Sequence, residues 1–442
     1  MPSATPSPIP PGATATVGPV SASERFDSLD LLRGVAILGI LVMNIYAFAM
    51  PFAAYFNPYR MGGEEPWNLA TWAVTHVFFD QKFMAIFSML FGAGIVLMMN
   101  RAESRDASFR PVFFRRQVWL LFIGLGHLVL LWFGDILTFY AIVGMLVYVL
   151  RNLPVRRLTV VACLMLPVPL FLNYGFSFYL EDLAERAPAI EAIVAEGGEL
   201  SAEDEALLEQ WEASRQFFAP TDEDIEREVA AHTGSYGDAL RYRVEHSLPS
   251  LVPALPFFVL WRVGGLMLLG MALMKAGVLT GQRTITFYRR LMLTGYGIGL
   301  PLTVFSAWAF FAHDFDAIYS VRWGGIPNYI GSVFVALGHV GLVLLAAKGG
   351  FVPALAARFR AVGRMALTNY LMQSVVMTSV FYGYGLGLYG GVPRLAQMLF
   401  VAGLITVQLV ASPWWLARFR FGPAEWLWRS LTYGRLQPMR VA

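Results

Sequence analysis

The sequence predicts an all-α fold: a polytopic bundle of about ten transmembrane helices with both termini cytoplasmic. Three observations carry that expectation. Of 442 residues, 57% are hydrophobic and only 14% are charged, whereas soluble domains carry about a quarter charged residues. The apolar residues arrive in long blocks, such as 118–133 with His127 as its one ionisable residue. A helix needs about 20 apolar residues to cross a bilayer. Basic residues collect in alternate connections, which is the positive-inside pattern. Together these argue against a soluble enzyme, a nucleic-acid module and a disulfide-stapled secreted domain. The single cysteine, Cys163, cannot close an internal bridge.

Residues 1–22 are rich in Pro, Ser, Ala and Thr and carry no charge, so they read as a disordered cytoplasmic tail. The first span, 29–50, is closed by Pro51. The apolar stretch 69–99 is too long for one plain span and is interrupted by Asp80-Gln81-Lys82. That interruption predicts a half-helix or re-entrant piece, then a span over 83–99. Further spans fall at 118–133, 136–150, 158–176, 251–274, 291–312, 326–347, 366–387 and 396–416, ten in all if 69–99 counts once.

Charge placement supports this order. With a cytoplasmic N-terminus, 22 of the 33 Lys and Arg lie in inside segments and 8 lie outside. Five of those 8 belong to one connection, 177–248 between spans 5 and 6. It holds 18 Asp and Glu, giving a local charge of −13 against +16 for the rest of the chain. It is expected to form an amphipathic, acidic extracytoplasmic cap. The chain thus divides into the tail, a transmembrane half over 23–176, the cap over 177–248 and a second half over 249–442. No internal repeat is evident, which disfavours transporter folds built on inverted repeats.

Ionisable and amide side chains inside spans are costly and mark candidate sites. Asp30 and Arg33 stand at i, i+3 and can pair, with Asn44 three turns further on nearly the same face. A second site is Gly126-His127-Leu-Val-Leu-Leu-Trp132-Phe-Gly134-Asp135. A neutral imidazole held by a partner can act as a general base. Eight residues separate His127 from Asp135, about 12 Å along a continuous helix, so they meet only if the helix breaks near Gly134. A third is Lys82 with Asp80 and His76; Lys82 either snorkels to the outer interface or pairs Asp135 or a substrate carboxylate. Thr368, Asn369 and Gln373 form a polar stripe, read as interhelical glue or as ligand contact. The six His are dispersed, and no metal-ligand spacing appears. Trp426, Trp428 and Arg429 suit an interfacial aromatic belt.

Five separated motifs resemble the YeiB-like membrane proteins: Leu29-Asp-Leu-Leu-Arg-Gly through Asn44-Ile; Lys82-Phe83 with Leu90-Phe-Gly-Ala-Gly94; the 126–137 run; Gly363-Arg-Met-Ala-Leu-Thr-Asn-Tyr-Leu; and Gly422-Pro-Ala-Glu-Trp-Leu-Trp-Arg429. The resemblance covers nearly the whole chain except residues 1–22 and much of the acidic loop. It extends to transmembrane acyltransferases related to heparan-α-glucosaminide acetyltransferase and, more distantly, to acyltransferase-3 proteins. The latter carry a His near the Asn44 position, where this sequence departs from them.

The resemblance implies transfer of an acyl group from cytoplasmic acyl-CoA to an extracytoplasmic hydroxyl or amine, on a small molecule or a glycan. The base would be His127 or His76. Asn44 would stabilise the oxyanion and Asp135 or Lys82 would orient the acceptor; His127, Asn44 and Asp135 are the catalytic candidates. Asp30, Arg33, Lys82, Arg115, Arg116, Arg364 and Asn369 are the candidates for binding donor or acceptor. The implied location is a bacterial cytoplasmic (inner) membrane, with no nucleic-acid partner and room for a homo-oligomer. Two other readings stay open: a transporter or flippase whose path the same polar residues line, and a non-catalytic membrane partner docking through the acidic loop.

Overall fold

The computed structural model describes residues 26–104 and 108–441; the tail expected over 1–22 lies outside them. Helix α1 (Asp27–Ala49) opens with Asp27 and Asp30 in its first turn, where carboxylates complement the helix dipole. Beyond its polar first turns it is almost wholly apolar, and it is buried along nearly its whole length, as suits the central helix of a bundle. After Pro51 come α2 (Ala53–Phe56) and α3 (Pro66–Phe78), which starts on a proline. The chain breaks at 79–81, with Gln81 in the left-handed region at φ 64°. It resumes as α4 (Lys82–Glu103), so the expected interruption at Asp80-Gln81-Lys82 is a helix break. Helices α5 (Arg110–Leu130) and α6 (Leu137–Val147) are joined by an irregular turn.

Pro167 divides α7 (Val155–Met165) from α8 (Val168–Ala195), which runs well beyond the span expected to end at 176. The acidic segment is helical: α9 (Ala202–Phe218), α10 (Asp222–Thr233) and α11 (Tyr236–Tyr242), the last two opened by capping boxes at Thr221/Asp224 and Ser235/Asp238. The end of α8 and α9 share a small apolar core of Leu183, Ala187, Ile190 and Leu207. Helix α12 (Leu248–Ala254) is flanked by π-helical turns and leads into α13 (Leu260–Lys275).

Next follow α14 (Ile285–Ala312), α15 (Ala317–Tyr319), α16 (Gly325–Lys348), α17 (Pro353–Arg364), α18 (Ala366–Phe381), α19 (Arg394–Leu416) and α20 (Pro423–Tyr433). No strand is present among the described residues beyond one isolated bridge. The chain is an all-α polytopic membrane bundle. Among the described residues, eight helical stretches are long and apolar enough to cross a membrane. Two expected spans appear as shorter helices, Leu137–Leu150 and α18. The span expected over 366–387 ends at Phe381, because Tyr382 turns extended and a glycine-rich return follows.

Small residues set the tightest crossings. Gly34 of α1 and Gly363 of α17 face each other: a Cβ on the first would strike the Phe359 carbonyl, and on the second the Asp30 carbonyl. That approach brings two of the expected motifs together and places Arg33 and Arg364 at one end of the bundle.

Candidate functional site

The α5 helix closes on itself at His127, whose carbonyl accepts from the N–H groups of both Leu131 and Trp132. Trp132 then packs inward, stacking on Phe48 at 3.9 Å and donating from Nε1 to the Ala47 carbonyl at 3.3 Å. This break folds Asp135 back beside His127, and their side chains meet at 3.0 Å from Nδ1 to Oδ1. The other carboxylate oxygen of Asp135 accepts the Thr138 N–H at 2.7 Å in the first turn of α6. Gly124 makes room for this turn, since a Cβ there would meet Thr138 N and Asp135 Oδ2. If the imidazole donates from Nδ1 to Asp135, Nε2 is left as an acceptor. Into that position Ser374 of α18 presents its Oγ at 2.7 Å. Both side chains of the His–Asp pair are 0% exposed.

The cap holds this centre from one side. The last carbonyls of α5 accept from Arg243 Nε (Val129 O, 3.1 Å) and from the Tyr236 hydroxyl (Leu130 O, 2.8 Å), a cation at a helix C-terminus. Helix α10 docks through Glu228, whose carboxylate accepts Phe52 N–H at 3.0 Å and the Tyr389 hydroxyl at 3.1 Å. Burial pushes the Glu228 carboxyl up to about 7, against the pull of those two bonds. His232, one turn on, is stacked on Tyr389 at 4.7 Å, and burial lowers its pKa to about 4.

From the opposite, basic end a cavity of about 260 Å³ enters the bundle. Its mouth carries Arg33, Arg101, Arg116, Arg364, Arg420 and Arg429 against only Asp30 and Glu425. Arg33 is paired to Asp30 at 2.9 Å, as its spacing predicts. Arg116 lies 3.5 Å over the Trp428 ring. Glu425 reaches from α20 to the start of α18, accepting Leu367 N–H at 2.6 Å and Thr368 N–H at 3.1 Å, a carboxylate at a helix N-terminus. Deeper in, Phe87, Phe91, Ile136, Tyr140 and Tyr370 form an apolar end wall. Tyr370 stands between the cavity and the buried centre: its ring lies 5.0 Å from that of His127, and its hydroxyl donates to Gly134 O at 3.1 Å.

Four of the expected binding residues, Asp30, Arg33, Arg116 and Arg364, therefore share one cavity. Arg115 turns away and donates to Thr432 O at 3.3 Å. Asn44 is half-buried on α1 and does not line the cavity. Asn369 is glue, bonding Val362 O at 3.2 Å and Ser412 Oγ at 3.1 Å, while Gln373 bonds Gln408 at 3.0 Å. Lys82 neither snorkels nor meets Asp135. It is fully buried, bonding Asn328 Oδ1 at 2.5 Å and His76 O at 2.6 Å. Asn328 in turn donates to Asp80 Oδ2 at 2.6 Å, which His76 Nδ1 approaches at 3.7 Å. The break at Gln81 brings this cluster together, with its side chains bonded to one another and to Asn328. The Trp426 and Trp428 indoles, expected in an interfacial belt, donate inward to Gln437 O and Arg116 O. Ser374 and Tyr370 were not among the expected site residues; only their i, i+4 spacing on the Thr368–Ser374 helix hinted that they share a face.

A family model described as a protein of unknown function (DUF418) matches residues 273–435. The chain is similar to the uncharacterized protein YxaH of Bacillus subtilis, 33% identical over 96% of this chain and 98% of that one. It is equally similar to the uncharacterized protein YeiB of Escherichia coli, 33% identical over 92% of this chain and 96% of that one. An uncharacterized 39.9 kDa protein from the amylase 3′ region of Bacillus acidopullulyticus is 24% identical over 95% and 97% of the two chains. No solved structure matches.

Proposed function

The chain belongs to the YeiB-like (DUF418) membrane proteins, and on that premise we propose that it is an integral membrane acyltransferase. It takes an acyl group from cytoplasmic acyl-CoA and gives it to a hydroxyl or amine acceptor across the membrane. The observation that carries this reading is the alignment of two features. A cavity lined by six arginines is bounded by Tyr370, and against that ring sits an imidazole held between Asp135 and Ser374.

The six mouth arginines suit the phosphates of a coenzyme A thioester, which guanidinium groups bind with paired N–H donors. The apolar wall beyond suits the pantetheine arm and acyl chain. His127 is the base, kept in one tautomer by Asp135, which also stabilises the imidazolium formed when the base takes a proton. The protein resides, on this reading, in the cytoplasmic membrane of a bacterial cell, with the basic end inside.

The test uses purified protein in nanodiscs, a panel of acyl-CoA thioesters and mixed sugar, amine and alcohol acceptors. Released CoA thiol is the expected result; no release from any thioester counts against the reading. A carrier is the second reading, favoured by the buried Asp80–Asn328–Lys82 cluster with Arg262 nearby. It predicts movement of an intact solute, driven by an ion gradient, with no bond made.

A further inference from the structure

Hydroxyl side chains inside apolar helices usually bond back to a carbonyl of their own helix. Thr159, Ser379 and Thr406 do so here, to the carbonyls of Val155, Val375 and Ala402. Ser374 is different. Its Oγ is buried completely, and its hydrogen bond runs across helices to His127 Nε2 at 2.7 Å. With Asp135 on the far nitrogen at 3.0 Å, three side chains from α5, the following turn and α18 stand in a serine–imidazole–carboxylate relay. Such relays, on unrelated folds, activate the hydroxyl as a nucleophile.

We propose that Ser374 is the nucleophile of this protein and carries the acyl group as a covalent ester between two half-reactions. The inference rests on the acyltransferase reading above and deepens it. In the first half, Ser374 Oγ attacks the thioester carbonyl carbon while His127 Nε2 takes the hydroxyl proton. The carbon–sulfur bond breaks and the proton passes from Nε2 to the departing sulfur, leaving a free thiol and an O-acyl serine. In the second, the acceptor hydroxyl or amine gives its proton to Nε2 and attacks the same carbonyl. The bond to Oγ breaks, and the proton returns to Oγ. The sum is thioester plus acceptor giving thiol plus ester or amide.

The position of the centre explains why a stored acyl group is useful. The arginine cavity stops at Tyr370, one turn before Ser374 on the same helix. The opposite end is closed by Trp132 and by the cap through Arg243 and Tyr236. Donor and acceptor thus come from opposite sides of a sealed partition. A covalent carrier lets each enter alone, with Tyr370 as the side chain that must move for the donor.

The experiment incubates the full-length protein in nanodiscs with acyl-CoA and no acceptor, followed by intact-mass and peptide mass spectrometry. One acyl group on the peptide containing Ser374 is expected, absent in Ser374→Ala and His127→Ala. Ser374→Cys should move the adduct from ester to thioester, cleaved by neutral hydroxylamine, a change that a merely structural serine would not produce. Melting curves show that each variant is folded. Transfer to an acceptor should fall about 10³-fold or more in Ser374→Ala; a folded Ser374→Ala that transfers at the wild-type rate overturns the covalent route and leaves the acyltransferase reading standing. A parallel arm treats the protein with phenylmethanesulfonyl fluoride. Labelling of Ser374 that needs His127, without CoA release, upholds the nucleophile and overturns the CoA donor. Neither label nor release overturns both.

Discussion

Replacing Asp135 by Asn keeps the side-chain volume and removes one acceptor and the charge. Asp135 now accepts from His127 Nδ1 at 3.0 Å and from Thr138 N–H at 2.7 Å, with no exposed side-chain surface. An amide has one oxygen, so only one of those donors can be served. If its NH2 faces His127, the imidazole must offer Nδ1 as acceptor, its proton moves to Nε2, and Ser374 loses its base. If its NH2 faces Thr138, two N–H groups oppose each other in a dry site, at a cost of about 1–3 kcal/mol. Either way, nothing offsets the positive charge on the imidazolium. A loss of about 4–5 kcal/mol of transition-state stabilisation corresponds to a fall in kcat of about 10³–10⁴-fold. The KM for the acyl donor should change little, because Asp135 does not line the cavity. Single-turnover thiol release in nanodiscs, with a melting curve beside it, measures both. A folded Asp135→Asn protein with wild-type kcat would refute the assignment of His127 as the base.

Three further outcomes follow from other parts of the molecule. Charge reversal at Arg364 or Arg116, both in the cavity mouth, should raise KM for acyl-CoA about tenfold and weaken its salt dependence; a pantetheine thioester lacking the nucleotide should show no change in KM. Glu425→Gln should weaken the N-terminal cap of α18, lowering stability by about 1–2 kcal/mol and raising hydrogen exchange at 366–370. Cap docking should vary little between pH 4.5 and 6.5, because two trends oppose. The docked Glu228, at about 7 instead of 4.5, keeps a proton that the undocked group gives up, so its contribution fades as pH rises from 4.5 to 7. His232, at about 4 instead of 6.5, must stay neutral, so its contribution grows as pH rises from 4 to 6.5. Glu228→Gln should therefore leave docking that strengthens with pH, and His232→Asn docking that weakens, read by hydrogen exchange in α10.

The bundle was largely legible because its causes are local. Apolar blocks, Pro51, the Asp80-Gln81-Lys82 interruption and the alternating basic connections each mark a helix or its end within a few residues. The site was legible only in part. The Asp30–Arg33 pair lies within one turn, so spacing finds it. The His127–Asp135 bond depended on whether the helix breaks, and that is decided by Trp132 finding Phe48 and Ala47 on α1, a long-range event. Ser374 lies 247 residues from its histidine partner and Lys82 lies 246 from Asn328. No periodicity records such pairings, and a serine in an apolar helix looks the same whether it bonds its own backbone or a distant imidazole. Neither course open to Lys82 in the sequence, snorkelling or pairing Asp135, is taken, for the same reason: Asn328 and the His76 carbonyl offer it buried partners.

In the proposed function, His127 drives acyl transfer through the membrane-embedded centre. Sealed proteoliposomes test it most directly, with acyl-CoA supplied at the basic face and an amine or sugar acceptor enclosed at the other. Acylated acceptor is expected inside the vesicles with wild-type protein, and at least about a hundredfold less with His127→Ala. Thioester left intact by the wild type, or equal product from both proteins, would contradict it.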